Sequence, residues 1–182
     1  VLFTDQTMII DLTGKTALVT ASSKGIGFAI SKALFTAGAN VCICSRSEDN
    51  LRTAEQALAG DDPKRVFAMT GDIAEPEFLS QLVNRCKERF GKIDILVNNS
   101  GGPPPGEALS FTDEQWLAAI NNNLLSVIRL SSLVIPDMKN TGWGRIVNLT
   151  STTAREPAAG MALSNVTRAG VAAYTKTLAQ EV

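Results

Sequence analysis

The sequence predicts an α/β fold, a doubly wound parallel sheet with helices on both faces, and three observations carry that prediction. Short β-rich apolar runs alternate with longer amphipathic segments along the chain. Four of the five apolar runs are nearly all apolar rather than alternating, as expected for strands covered by helices on both faces. A glycine-containing turn stands directly between the first apolar run and the first amphipathic segment, where a βαβ unit begins.

Taken in order, the first strand is expected over Thr16–Thr20 and the first helix over Ile26–Ala37, with Gly38 as its stop. The second strand, Asn40–Ser45, leads to a helix over Glu48–Leu58. A third strand, Arg65–Thr70, precedes a helix over Glu77–Phe90 that ends at Gly91, and Ile93–Asn98 is the fourth strand. Gly101–Gly106, with three consecutive prolines, reads as a rigid surface loop. Asp113 is expected to cap the helix over Glu114–Met138. The strand Arg145–Thr150 and the helix Leu163–Val182 close the series. Such alternation implies right-handed crossovers within one domain over residues 1–182. A doubly wound sheet has about six strands. Ending after the fifth helix is therefore expected to leave a sheet edge open, as in a fragment of a longer chain.

Composition excludes several classes. The 182 residues are 45% apolar and 19% charged, which is ordinary globular usage. A net charge of −1 offers no basic field for nucleic acid or an anionic membrane. No apolar run approaches the roughly 20 residues of a membrane span. The acidic residues Asp5 and Asp11 do not fit a signal peptide, so a cytoplasmic location is expected. The chain has no histidine, which removes His-based triads, His-ligated zinc and imidazole proton shuttles; no metal site is expected. Cys42, Cys44 and Cys86 are expected to be inert core thiols, the first two on opposite faces of a strand.

The turn after the first strand reads Thr20-Ala21-Ser22-Ser23-Lys24-Gly25-Ile26-Gly27. Its glycines allow a tight turn and close approach of the backbone to phosphates, while the helix start turns amides and dipole toward an anion. Ser22 and Ser23 add hydroxyl donors and Lys24 adds charge. Between a strand and a helix, this is a specific Rossmann-type signal for a dinucleotide pyrophosphate. At the end of the second strand, Arg46 stands where an NAD site carries a carboxylate for the ribose 2′-hydroxyl. Arg46 and Lys24 suit a 2′-phosphate instead, which points to NADP(H).

These residues resemble the short-chain dehydrogenase/reductase family from Leu12 onward. The family's Thr-Gly-x-x-x-Gly-x-Gly corresponds to Thr20–Gly27, with Ala21 at the first glycine; an alanine is tolerated there if its φ is negative. The resemblance implies that Asp72 and Ile73 contact adenine, and that Asn98-Asn99-Ser100-Gly101 closes the fourth strand beside the cofactor. It makes Asn123 the asparagine that holds a relay water, and Ser151, ending Gly144–Ser151, the serine that binds the substrate oxygen. Thr152 and Ser164 are weaker competitors for that place. It further implies a carbonyl or alcohol substrate and a homodimer or homotetramer built on the two long helices.

The likeness breaks at the proton donor. The family places a tyrosine four residues before a lysine; counting back from Ala169-Gly170-Val171, those positions hold Ser164 and Arg168. Tyr174, the only tyrosine, lies roughly 15 Å farther along a helix and cannot substitute. Ser-Asn-x-x-Arg resembles an atypical branch, 3-oxoacyl-carrier-protein-reductase-like, that carries it in place of Tyr-x-x-x-Lys. Two functions follow as expectations: an NADP(H)-dependent oxidoreductase, or a nucleotide-binding regulatory protein without turnover.

Overall fold

The computed structural model describes residues 10–60 and 62–182; Asp5 lies outside them. Five parallel strands form one sheet in the order β3-β2-β1-β4-β5: β1 Thr16–Val19, β2 Asn40–Ser45, β3 Val66–Thr70, β4 Ile95–Asn98 and β5 Arg145–Asn148. Helices α1 (Gly25–Thr36), α2 (Glu48–Ala59) and α3 (Pro76–Phe90) join the first four strands. Between β4 and β5 run α4 (Asp113–Ile120), a π-turn (Asn121–Leu125) and α5 (Ser126–Thr141), and α6 (Ala162–Glu181) follows β5. The expected α/β fold is the one observed. Strand order reverses between β1 and β4, which opens a crevice at their C-terminal ends, the place where such sheets bind ligands.

Each sheet face has its own core. Leu18, Cys42, Cys44 and Leu96 pack against Leu79, Leu82 and Cys86 of α3 and Leu130 and Val134 of α5. Ala17, Val19, Val41 and Ile43 pack on the other face against Leu51, Ala54 and Leu58 of α2. The period of two along each strand produces this sorting. It also corrects the cysteine expectation: Cys42 and Cys44 are two apart, so they share a face, and Cys86 joins them. All three are buried and free, and burial pushes the Cys44 thiol up to about 12.

Three further expectations are corrected. The cap of α4 is Thr112, not Asp113: Thr112 Oγ1 accepts from the Gln115 amide (3.4 Å) and the Gln115 side chain accepts from the Thr112 amide (2.9 Å), a reciprocal capping box. The strand β5 is an exposed edge rather than a covered strand, and Val147 is 49% exposed. The helical run Asp113–Thr141 is long and apolar enough to cross a membrane, contrary to the reading of its separate apolar stretches. Val127, Leu130, Val134 and Met138 are nonetheless buried, so one face of the run belongs to the core.

Candidate functional site

The loop between β1 and α1 is built from beneath. Thr20 Oγ1 donates to the Asn99 carbonyl (2.6 Å) and accepts from the Asn99 amide (2.9 Å), while Asn99 Nδ2 reaches the carbonyls of Thr20 and Ala21. These bonds tie the loop to the end of β4. Ser22, expected as a free hydroxyl donor, is fully buried; its Oγ donates to the Val19 carbonyl (2.7 Å) and its amide to Cys44 O. Ser23 is spent partly on Ser45, Oγ to Oγ 3.0 Å.

Ala21 has φ +47° and is the sole non-glycine with positive φ among the described residues. The condition that would have made this alanine costless, a negative φ, is not met. Holding an L-residue there costs about 1–2 kcal/mol. Gly25 takes φ +59°, and a Cβ on Gly27 would lie 2.5 Å from the Ala21 carbonyl oxygen. The loop therefore folds directly onto the start of α1. That helix has no side-chain cap and no acid in its first turn, so its positive dipole end is left for a ligand.

Above this loop lies a cleft of about 450 Å³. It brings together Ser23, Lys24, Ile26, Arg46, Asp72 and Ile73, and from the β4 side Ser100 and Gly101. Thr20, Ser22, Gly27 and Asn98 are buried, and none of them lines it. Arg46 Nη1 stands 3.9 Å from Asp72 Oδ2, with its side chain 77% exposed. At that distance and exposure the pair is loose, and the guanidinium remains available to an anion. A phosphate-bearing dinucleotide fits these features: an uncapped helix start, two cations at the rim and a glycine at positive φ between them.

The four expected catalytic residues gather beside this cleft rather than in it. Asn123 sits in the π-turn, 1% exposed, where its Oδ1 accepts from Ser100 Oγ (2.9 Å) and its Nδ2 donates to Ala119 O (3.2 Å). Such π-turns recur at functional sites because the extra residue re-aims a side chain. Ser151 Oγ accepts from the Thr153 amide (3.2 Å), and Thr153 Oγ1 is 3.3 Å from Ser164 Oγ. Thr153 thus joins the two serines, a link that sequence spacing did not reveal. Arg168 is only 7% exposed; it donates to Leu149 O (3.0 Å) and Ser100 O (3.4 Å), at the ends of β5 and β4. Burial lowers its guanidinium pKa, though an arginine stays charged in a protein.

One residue beneath the site is conspicuous for chemistry it does not complete. Asn98 Nδ2 donates to Asn148 Oδ1 (2.7 Å) and Asn148 Nδ2 to Thr175 Oγ1 (2.8 Å), but the buried Asn98 Oδ1 has no partner. Asn98 therefore joins β4 to β5 and α6 rather than reaching the cleft.

A family model described as short chain dehydrogenase matches residues 15–182, and the chain belongs to that family. It is 36% identical over 172 residues to the 3-oxoacyl-acyl-carrier-protein reductase of Vibrio cholerae, covering 94% of this chain and 69% of that protein. It is also 36% identical over 170 residues to the D-beta-hydroxybutyrate dehydrogenase of Cupriavidus necator, covering 93% of this chain and 66% of that one. Among solved structures, the L-sorbose reductase of Gluconobacter frateurii, complexed with NADPH and L-sorbose, superposes with a TM-score of 0.92 at 33% identity, covering 96% of this chain and 66% of that one. The chain thus spans about two thirds of the length of these relatives.

Proposed function

We propose that the chain binds NADP(H) in the cleft between β1 and β4 and serves an oxidoreductase acting on a carbonyl/alcohol pair. The observation that carries this is the cleft itself: Lys24 and the uncapped start of α1 on one side, and exposed Arg46 at the end of β2. The NADPH-bound sorbose reductase supports the same cofactor. When bound, the nicotinamide supplies hydride chemistry, while the protein positions the partners.

Ser151 binds the substrate oxygen, and Asn123, anchored by Ser100, holds a water near it. The proton comes from Ser164, through water, or from solvent. Ser164 is a weak acid at neutral pH, and Thr153 connects it to Ser151. Arg168 contributes positive charge beside the ribose while fixing the ends of β4 and β5. The Ser-Asn-x-x-Arg set is the ground on which we place the chain in the atypical branch, and we propose that its subunits pair through the helical run Asp113–Thr141 and α6. Leu117 and Val166, 65% and 53% exposed, support that pairing.

The test is NADPH oxidation against a panel of aldehydes and ketones. We expect Ser151→Ala to lower kcat/KM at least about a hundredfold; unchanged turnover would remove Ser151 from the site. A second reading, a nucleotide-binding regulatory protein, is favoured by one observation: Arg168 spends its guanidinium on two backbone carbonyls, Leu149 O and Ser100 O. Tight NADPH binding without turnover, and none gained in Ser164→Tyr/Arg168→Lys, selects that reading.

A further inference from the structure

The three consecutive asparagines of the π-turn have three destinations. Asn123 faces Ser100, Asn122 lines the cleft, and Asn121 points away from both toward the loop after β3. Asn121 Nδ2 donates to the Ala74 carbonyl at 3.0 Å. The same carbonyl accepts from Arg129 Nη1, on α5, at 3.2 Å, and Arg129 Nη1 also donates to Asn121 Oδ1. Both lone pairs of Ala74 O are thereby filled, and the Arg129 guanidinium donates to two neutral oxygens.

Ala74 is also tied to the cleft. Its amide donates to Asp72 Oδ1 (3.0 Å), and the Glu75 amide closes a turn onto Asp72 O (3.0 Å). The other carboxylate oxygen, Asp72 Oδ2, faces Arg46. Contacts thus run from Arg46 through Asp72 and Ala74 to Arg129 and Asn121, and two residues along the same turn stands Asn123.

We infer that Arg129, acting with Asn121, is a positioning residue that locks the Asp72–Ala74 wall of the cleft to the π-turn carrying Asn123. The inference rests on the reading of the cleft as an NADP(H) site. One node then sets two distances: that of the adenosine-side wall from the loop after β1, and that of Asn123 from Ser100. Without the node, the Asp72–Ala74 turn must be ordered by the ligand, which weakens binding of the adenosine half.

The experiment titrates the full chain with 2′,5′-ADP, a probe carrying the adenosine half and no nicotinamide. Arg129→Met is expected to weaken 2′,5′-ADP binding about tenfold, the equivalent of one charge-assisted hydrogen bond, and to lower kcat with NADPH as well. Arg129→Lys, which keeps a donor, is expected to recover part of the affinity. Asn121→Asp retains an acceptor for Arg129 but loses the amide donor to Ala74 O, and is expected to fall between wild type and Arg129→Met. Asn123→Ala is expected to lower kcat and leave 2′,5′-ADP affinity unchanged. Thermal melts identify any variant that does not fold, and Asn121→Asp and Arg129→Lys stand in its place. Folded Arg129 and Asn121 variants that bind 2′,5′-ADP like wild type overturn the inference while leaving the cofactor reading intact. Wild-type protein that does not bind 2′,5′-ADP overturns both.

Discussion

At the scale of single residues, Ala21 sets the sharpest expectation. Its φ of +47° places a Cβ-bearing residue where glycine is at ease. Part of the backbone strain is offset because glycine loses more chain entropy on folding. Ala21→Gly is therefore expected to raise unfolding stability by about 0.5–1 kcal/mol, read as a higher urea midpoint at unchanged slope; a lower midpoint contradicts the strain. Much of the site was legible at this scale, since Lys24, Arg46, Asp72, Ile73, Ser100 and Gly101 do line one cleft. Phosphate-loop chemistry is local in sequence and reads out directly. The conformation of Ala21, the inward turn of Ser22 and the Thr153 link were not legible. Each is decided by what packs beneath the residue, as when Asn99 captures the carbonyls of Thr20 and Ala21.

At the scale of elements, the run from α4 to α5 looks like one helix in sequence, and the π-turn at Asn121–Leu125 interrupts its register. Helical periodicity is too coarse to show one inserted residue. Deleting Asn122 restores an uninterrupted α-helical count and is expected to swing Asn123 off Ser100. The measurable result is loss of at least about tenfold in kcat, with the far-ultraviolet helix signal unchanged. Full activity in the deletion variant contradicts the role of the turn. The strand β2 carries a different expectation. Burial raises the pKa of Cys42 and Cys44, the latter to about 12, against roughly 8.5 for an exposed thiol. Between those values the native thiols keep protons that the unfolded chain has lost, so stability falls as pH rises. It is expected to be insensitive to these thiols below about pH 8.5 and to decline above it, by up to about 1.4 kcal/mol per pH unit per thiol. Urea midpoints of wild type and Cys44→Ala across pH 7–11 check this; the variant should show the shallower alkaline decline.

At the scale of the whole molecule, the fold class was the most legible feature, because five strand-and-helix alternations admit few topologies. The strands of β3-β2-β1-β4-β5 all run parallel, which places every loop on the cofactor side at one end of the sheet. Less legible was how far each apolar position of the last strand is covered: Val147 of β5 is 49% exposed while Val19 of β1 is fully buried. Burial of a strand depends on its neighbours in the sheet, which its own residues do not specify. The central claim, a cleft that selects NADP(H) through Lys24 and Arg46, is tested most directly by calorimetric titration with NADPH and NADH. The account predicts tighter binding of NADPH by at least about tenfold, and loss of that preference in Arg46→Ala through weaker NADPH binding alone. Equal affinity for the two cofactors in wild type, or a preference that survives Arg46→Ala unchanged, would contradict it.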